Sequence, residues 1–194
     1  MIAIIDYGAG NVASVANAVN TINTDYKITC NEIDLLNASK IIFPGVGEAS
    51  SAMKKLHKLN LYSMLRICKK PLLGICLGMQ LMAEYSKEGK AMGLGLFRGS
   101  TEMFDNSVTK VPHMGWNSID IKKESKLLDG IKSGEKFYFA NSYYLPLNDC
   151  TTSVTNHQID FSASIENRNL FGVQFHPEKS GEAGLKILKN FIEL

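Results

Sequence analysis

The sequence predicts an α/β fold in which a mainly parallel central sheet is flanked by helices and carries an antiparallel β insertion. Three predicted strands, at residues 1–5, 40–43 and 72–75, support the parallel part. Each strand is followed by a glycine-containing loop and then by apolar residues at helical spacing, which is the pattern of consecutive strand–helix units. Between residues 97 and 171 the pattern changes to short alternating segments separated by polar turns, which is typical of antiparallel strands.

The length and the absence of linkers predict one domain over residues 1–194. A chain of 194 residues is long enough to bury a core, and no proline-rich, serine-rich or repetitive stretch divides it. The 21 basic and 19 acidic residues nearly balance and form no basic stripe, so nucleic acid is not an expected partner. We find no signal peptide pattern and no apolar run of membrane-spanning length, and we therefore expect a cytoplasmic protein without a membrane partner.

The four cysteines show neither a CxxC pair nor zinc-ligand spacing, which fits a reducing compartment and predicts no metal site. Cys30, Cys68 and Cys150 lie in or beside apolar segments, so we expect them to serve in packing. Only Cys76 has a setting that favours chemistry.

The first strand–helix unit contains the loop at residues 6–11. Gly8 and Gly10 lack the third glycine of a dinucleotide-binding fingerprint, so nucleotide binding is not expected. Asn11 precedes apolar residues at helical spacing and is predicted to be the helix N-cap.

The second unit contains Pro44, Gly45, Val46 and Gly47, followed by a long helical stretch that extends through Leu65. Glycines at these positions let the backbone approach a ligand closely. A plain strand-to-helix turn explains the same glycines equally well from the sequence alone.

The third unit places Cys76 between an apolar strand and a predicted helix that continues toward Tyr85. Gly74 and Gly78 flank the cysteine two residues away on each side, which is the pattern of a nucleophile mounted on a tight turn. The first amides of the helix would point toward the sulfur and favour a thiolate. The alternative is a buried cysteine that only packs.

A cysteine nucleophile needs an imidazole oriented by a third group, and the sequence offers one near its end. His176 follows a predicted strand, Pro177 stiffens the chain, and Glu178 can hold one ring nitrogen of His176. Cys76, His176 and Glu178 are therefore predicted to form a catalytic triad.

With these residues in place, the chain resembles the class I glutamine amidotransferases and, within them, the glutaminase subunits of imidazole glycerol phosphate synthases. The resemblance covers nearly the whole chain through motifs that occur in the family's order: residues 4–11, 44–47, 74–80, 112–117 and 176–180. It implies hydrolysis of L-glutamine to glutamate and ammonia through a cysteine thioester, with no cofactor.

The tetrahedral intermediate of this reaction needs two amide donors for its oxyanion. The amide of Leu77, directly after the nucleophile, is the expected first donor. The resemblance implies that Val46 or Gly47 supplies the second. Gln80 lies one helical turn beyond Cys76 and is expected to help hold the polar end of the substrate. The resemblance also implies substrate contacts in the glycine loop and after an aromatic strand, at Gly45, Gly47, Asn141, Ser142 and Tyr143.

A chain of this length leaves no room for a second domain that consumes ammonia. The resemblance implies a (βα)₈-barrel synthase as the partner in a heterodimer, most directly for histidine biosynthesis. It places Asn11, Trp116 and Lys179 at the interface with that partner. Trp116 is the only tryptophan and lies in a predicted turn, where His113 is expected to support the loop.

Asn141 departs from the family pattern, which commonly has a histidine there. Asparagine can hydrogen-bond but cannot titrate. This departure keeps a second interpretation open, in which the same glutaminase serves a paralogous synthase such as one for surface-sugar amidination. A non-catalytic binding subunit and a cysteine peptidase are further alternatives.

The C-terminal segment predicts an amphipathic helix, with Ser180 as its cap. Leu185, Leu188, Phe191 and Ile192 line one face of this helix. His57 and His157 are predicted to lie on the solvated surface.

Overall fold

A computed structural model describes residues 1–194, and the predicted α/β class is confirmed. The helices are α1 (Val12–Thr21), α2 (Glu32–Asn37), α3 (Ala49–Lys58), α4 (Leu61–Ile67), α5 (Leu77–Leu81) and α6 (Gly181–Glu193). The first strands are β1 (Ile2–Ile5), β2 (Tyr26–Thr29), β3 (Lys40–Gly45), β4 (Leu72–Cys76), β5 (Tyr85–Ser86), β6 (Ala91–Met92) and β7 (Ser100–Met103). The later strands are β8 (His113–Ser118), β9 (Asp120–Ile121), β10 (Lys136–Asn141), β11 (Tyr143–Tyr144), β12 (Thr151–His157), β13 (Ile159–Asn167) and β14 (Leu170–Val173).

The main sheet has eight strands in the order β2-β1-β3-β4-β14-β13-β12-β9. Strands β2, β1, β3, β4 and β14 are parallel, and β13, β12 and β9 continue the same sheet in antiparallel pairing. The antiparallel region is thus partly an extension of the central sheet. Two further sheets are a β10-β8 ribbon and a small mixed sheet in the order β11-β7-β5-β6, in which β5 and β6 precede residue 97 and β5 pairs with β7 in parallel.

Helices cover both faces of the parallel strands, and the alternation along β1 shows why. Ile2 and Ile4 pack in the cluster that contains the buried faces of α1 and α6. Ala3 and Ile5 point the other way and pack with residues of α2, α3 and α4. Because successive strand residues face opposite sides, a continuous apolar run is needed in a strand that is covered twice.

Two predicted helices differ from the observed ones. The long stretch after Gly47 is divided into α3 and α4 at Asn60, whose φ of 59° is left-handed. The helix after Cys76 has only 5 residues, because Tyr85 instead pairs with Met92 and Ser100 as a strand. Helical spacing in this segment was therefore overridden by sheet pairing.

Three smaller expectations also need correction. Asn11 occupies the N-cap position of α1, but its side chain makes no capping hydrogen bond. Cys30 is exposed at the end of the edge strand β2, so it does not serve in packing as expected. His157 is half-buried at the end of β12, stacked on His113 with ring centroids 4.3 Å apart, whereas His57 is exposed as expected. No helix of the chain combines the length and apolar character needed to span a membrane.

Candidate active site

Cys76 is the last residue of β4 and directly precedes α5. Its φ of 53° and ψ of −112° lie in a region that side-chain-bearing residues rarely adopt. Such strain persists where the surrounding structure imposes it, and it is concentrated at functional sites. The predicted sharp turn at this cysteine is confirmed.

The flanking glycines are required by close backbone approach. A Cβ added to Gly78 would lie 1.8 Å from the carbonyl oxygen of Phe43 in β3. One added to Gly74 would lie 2.6 Å from the sulfur of Met82. No side chain fits at either position, which confirms the reason given for the two glycines.

His176 and Glu178 follow β14 and meet as predicted, with 2.8 Å between Nδ1 of His176 and Oε1 of Glu178. Their side chains are only 4% and 1% exposed. The ribbon strand β10 positions the imidazole, because the amide of His176 donates to the carbonyl of Tyr138 at 2.8 Å. Glu178 thus holds one ring nitrogen and leaves Nε2 of His176 for another partner.

Burial by itself would lower the pKa of His176. Hydrogen bonds to Cys76 and Glu178, together with their negative charges, outweigh burial and raise this pKa above its ordinary value. The raised pKa favours the imidazolium form of His176, which is the form that can give a proton to a leaving group.

Ser180 has a role that the sequence did not indicate. It lies at the N-cap position of α6, but its side chain makes no capping hydrogen bond. Its hydroxyl instead donates to the carbonyl of His176 at 2.6 Å and accepts from the amide of Tyr138 at 3.0 Å. Ser180 thus holds the turn of His176 against β10.

A cavity of about 330 Å³ opens above Cys76. Its walls come from the glycine loop, the cysteine turn, the end of β10 and the turn that carries His176. The lining residues are Val46, Gly47, Cys76, Leu77, Gln80, Glu88, Pro112, Met114, Ala140, Asn141, Ser142, Tyr143, His176 and Lys179.

Most of the predicted oxyanion and substrate residues therefore share one cavity. Gly45 is the exception: it is buried beneath the turn, where an added Cβ would lie 2.7 Å from the amide nitrogen of Gly78. Its place is to let β3 and the cysteine turn approach each other. Glu88, which the sequence did not single out, contributes a carboxylate to the cavity wall. Burial raises the pKa of Glu88, and the hydrogen bond from the amide of Ala49 acts in the opposite direction.

Gln80 lines the cavity, but its amide is used inside the protein. Nε2 of Gln80 donates to the carbonyl of Tyr143 at 2.8 Å and to Oε1 of Gln174 at 2.9 Å. Gln174 was not identified from the sequence, although it lies two residues before His176. Its Nε2 donates to the sulfur of Cys76 at 3.6 Å, and the thiol can donate to the carbonyl of Ala140 at 3.9 Å.

Asn141 ends β10 opposite His113, the first residue of β8. Nδ2 of Asn141 donates to the carbonyl of Tyr143 at 2.9 Å, and its Oδ1 is buried without a partner. His113 is not in a loop; it is buried between Phe139 and His157. Burial, and then the charge of His157, lower the pKa of His113 to about 4. This imidazole is therefore neutral at pH 7.

Two of the three predicted interface residues, Trp116 and Lys179, lie near the ring of Tyr138. Trp116 lies on strand β8 rather than in a turn, and it is 57% exposed. Its ring meets that of Tyr138 edge-on, with centroids 6.2 Å apart, and the amine of Lys179 lies 5.6 Å from the Tyr138 ring. Asn11 is partly exposed in the loop after β1, next to Gly10, which approaches the carbonyl of Pro44.

Ligands of open α/β sheets bind at the carboxyl ends of the parallel strands. Cys76, the glycine loop and the turn of His176 all follow such strand ends. No three His, Cys, Asp or Glu side chains converge as they would around a metal ion. The arrangement can activate a thiol for attack on a carbonyl-type carbon.

The comparisons with known proteins agree with this chemistry. The family described as Glutamine amidotransferase class-I matches residues 3–194. The "Imidazole glycerol phosphate synthase subunit HisH" of Archaeoglobus fulgidus is 44% identical over 196 residues, covering 100% of this chain and 98% of that protein. The protein of the same name from Caldanaerobacter subterraneus is 46% identical over 200 residues, again covering 100% and 98%.

A solved structure of a glutamine amidotransferase superposes with a TM-score of 0.77 at 15% identity, covering 100% of this chain and 98% of that one. That likeness shows a shared fold alone, whereas the family match and the sequence identities show common descent. The chain therefore belongs to the class I glutamine amidotransferases and, within them, to the HisH group.

Proposed function

We propose that this chain hydrolyses L-glutamine to glutamate and ammonia with Cys76, His176 and Glu178 as its catalytic triad. The observation that carries the proposal is the strained Cys76 at the floor of a cavity, with the His176–Glu178 pair buried beside it. A peptidase would need a groove for an extended chain, whereas a cavity of about 330 Å³ suits a small molecule.

The reaction begins when the thiolate of Cys76 attacks the side-chain amide carbon of glutamine. Imidazolium His176 then transfers a proton to the amide nitrogen, the C–N bond breaks, and ammonia leaves a thioester on the sulfur. Neutral His176 next takes a proton from water, which attacks the thioester carbon. The C–S bond breaks, glutamate leaves, and the imidazolium–thiolate pair is restored. Glu178 orients the imidazole and stabilises its charge throughout.

The oxyanion of each tetrahedral intermediate lies between Leu77 and the glycine loop in this proposal. Leu77 is the first residue of α5, so its amide has no obligatory partner within the helix. Val46 and Gly47 both line the cavity, and one of them supplies the second amide. The φ of 97° at Gly47 is open to glycine and costly for other residues.

The remaining walls match the zwitterionic end of glutamine. We assign the α-ammonium group to the carboxylate of Glu88, which lines the cavity without belonging to the triad. Asn141, Ser142 and Tyr143 contribute the polar wall at the end of β10. Gln80 supports this wall from below through its bond to the Tyr143 carbonyl.

The ammonia is passed, we propose, to a (βα)₈-barrel synthase subunit that forms imidazole glycerol phosphate in histidine biosynthesis. Similarity to the HisH subunits over the full chain supports this pathway. Trp116 and Lys179, which both lie near the Tyr138 ring, would contact the barrel in a heterodimer, and the family resemblance adds Asn11 to this surface. The four cysteines are all free thiols, which fits the cytoplasm as the proposed location.

Because of Asn141, a second protein remains a candidate recipient of the ammonia. If a paralogous synthase is the partner, the glutaminase chemistry is unchanged and only the recipient of ammonia differs. The position lies in the cavity wall and is tied to Tyr143, so a change there alters the wall and not the triad.

The test is glutamate release from L-glutamine by the purified chain, alone and with the imidazole glycerol phosphate synthase barrel subunit from the same organism. We expect weak release by the chain alone, a large increase with the barrel, and loss by orders of magnitude in Cys76→Ser. Cys30→Ser, which changes an exposed thiol outside the cavity, is the matched control and should retain full activity. Equal turnover with and without the barrel would contradict the coupling, and unchanged turnover in Cys76→Ser would contradict the mechanism.

A further inference from the structure

Gln174 is a fully buried polar residue that the triad mechanism does not use. Its side chain is 0% exposed and it does not line the cavity, so it has no route to the substrate. Its carboxamide lies between the sulfur of Cys76 and the carboxamide of Gln80. The effect of a buried carboxamide on a neighbouring sulfur depends on whether its NH₂ group or its oxygen faces that sulfur.

The neighbouring groups determine which end that is. The carbonyl of Tyr143 can only accept, so Gln80 must turn its NH₂ group toward it. The same NH₂ group also donates to Gln174, which must therefore turn its oxygen toward Gln80. The NH₂ group of Gln174 then faces the sulfur at 3.6 Å. The reverse orientation would oppose two NH₂ groups and aim a carbonyl oxygen at a thiolate.

We propose that Gln174 is a positioning residue that stabilises the thiolate of Cys76 by a hydrogen bond, with its donor end held toward the sulfur by Gln80 and the Tyr143 carbonyl. This role rests on the proposed function of Cys76 as the nucleophile. A donor to the charged form favours that form. Gln174 is fully buried and outside the cavity lining, so its contact reaches the sulfur from the protein interior. It also restrains the sulfur for attack into the cavity.

The first experiment measures alkylation of Cys76 by iodoacetamide against pH, with peptide mass spectrometry to separate the four cysteines. No glutamine or partner is present, so the result does not depend on turnover. Gln174→Met keeps the side-chain length and removes the donor. We expect the pH midpoint for Cys76 to move up by about one unit, with alkylation at pH 7 about tenfold slower. Exposed Cys30 in the same molecule is the internal standard and should not change.

Gln80→Met tests whether Gln80 sets the orientation of the Gln174 carboxamide. It leaves the donor of Gln174 in place but frees its orientation, so we expect a smaller shift in the same direction. The double variant should shift no further than Gln174→Met alone, because Gln80 acts through Gln174. Should Gln174→Met fail to fold, the shift in Gln80→Met decides the matter by itself.

Asn190→Leu is the matched control for loss of a buried amide. Asn190 donates to the carbonyls of Leu127 and Asp129 and does not line the cavity. An unchanged Cys76 midpoint in Gln174→Met, or an equal shift in Asn190→Leu, would overturn the proposal. With glutamine and the barrel, we expect Gln174→Met to lower kcat while KM changes little. If alkylation shifts as expected but no preparation hydrolyses glutamine, the proposed function fails and the contact to the thiolate stands.

Discussion

Replacing Gly78 by alanine tests whether the cysteine turn depends on close contact with β3. The added Cβ would lie 1.8 Å from the carbonyl oxygen and 2.9 Å from the carbonyl carbon of Phe43. A comfortable carbon–oxygen contact is about 3.3 Å or longer. The turn and β3 must therefore separate by about 1.5 Å, and both contacting atoms are backbone atoms that cannot rotate away.

The expected cost follows from this displacement. Overpacking of this kind costs about 1–3 kcal/mol of unfolding free energy, and we expect the upper end because backbone must move. For a chain of this size each kcal/mol corresponds to about 2–4 °C in Tm, so Tm should fall by about 6–12 °C. A displacement of about 1 Å at a reacting group can cost about 10²-fold in rate, so glutaminase kcat should fall by at least that factor.

Thermal unfolding by circular dichroism and glutamate release with the barrel partner measure the two effects. Gly10→Ala is the matched control, since its added Cβ would meet its nearest atoms at an ordinary 3.5 Å and its φ is not in the positive range. We expect Gly10→Ala to keep the wild-type Tm within about 2 °C. If Gly78→Ala unfolds at the wild-type temperature and keeps full activity, the argument from close approach is wrong.

Three further predictions concern the triad, the buried imidazole of His113 and the proposed partner surface. Glu178→Gln should lower the pKa of His176, because the hydrogen bond and the charge of Glu178 raise that pKa. The same change should reduce kcat by about 10²- to 10⁴-fold. NMR titration of the His176 imidazole measures the first effect, and a pKa equal to that of the wild type would refute it. The pKa of His113 is about 4 in the folded chain and about 6.5 in the unfolded chain. The unfolded chain therefore binds a proton that the folded chain does not bind between these pH values. The unfolding free energy falls as the pH drops through this range, by at most about 3 kcal/mol. The Tm of His113→Gln should decline less than that of the wild type between pH 7 and pH 4.5. Equal declines in the two proteins would contradict this prediction. Trp116→Ala removes an exposed aromatic ring and should weaken binding of the barrel by about 30-fold in a titration, with the Tm of the free chain unchanged; binding at wild-type strength would remove Trp116 from the proposed interface.

Local patterns were sufficient for the strands β1, β3 and β4 and for the cysteine turn, whereas the parallel edge strand β2 was not predicted. Residues 72–75 are apolar because β4 is covered on both faces, and Gly74 and Gly78 are small because the backbone crosses close to itself. The spacing of His176 and Glu178 placed their side chains together because only a proline separates them. In each case the residues that determine the geometry are neighbours in the chain.

Predictions were less accurate where a distant segment competes for the same backbone. Tyr85 continues a helical pattern but pairs with Ser100, and the hydroxyl of Ser180 bonds to His176 and Tyr138 instead of capping α6. Glu88 carries no motif that distinguishes it from any other surface carboxylate. Its place in the cavity wall depends on how the turn after β5 folds back toward Ala49.

The three strand–helix units, the cysteine turn and the pairing of His176 with Glu178 were encoded in short stretches, since hydrophobic period, glycine placement and a two-residue spacing act over a few bonds. The extension of the sheet by β13, β12 and β9, the enclosure of the cavity by β10, and the contact of Gln174 with Cys76 arose only when the chain was packed. The two residues of that contact are 98 positions apart. The direction of the hydrogen bond between them is set by a third residue, Gln80. A pattern within one segment cannot predict a hydrogen-bond direction that depends on three segments.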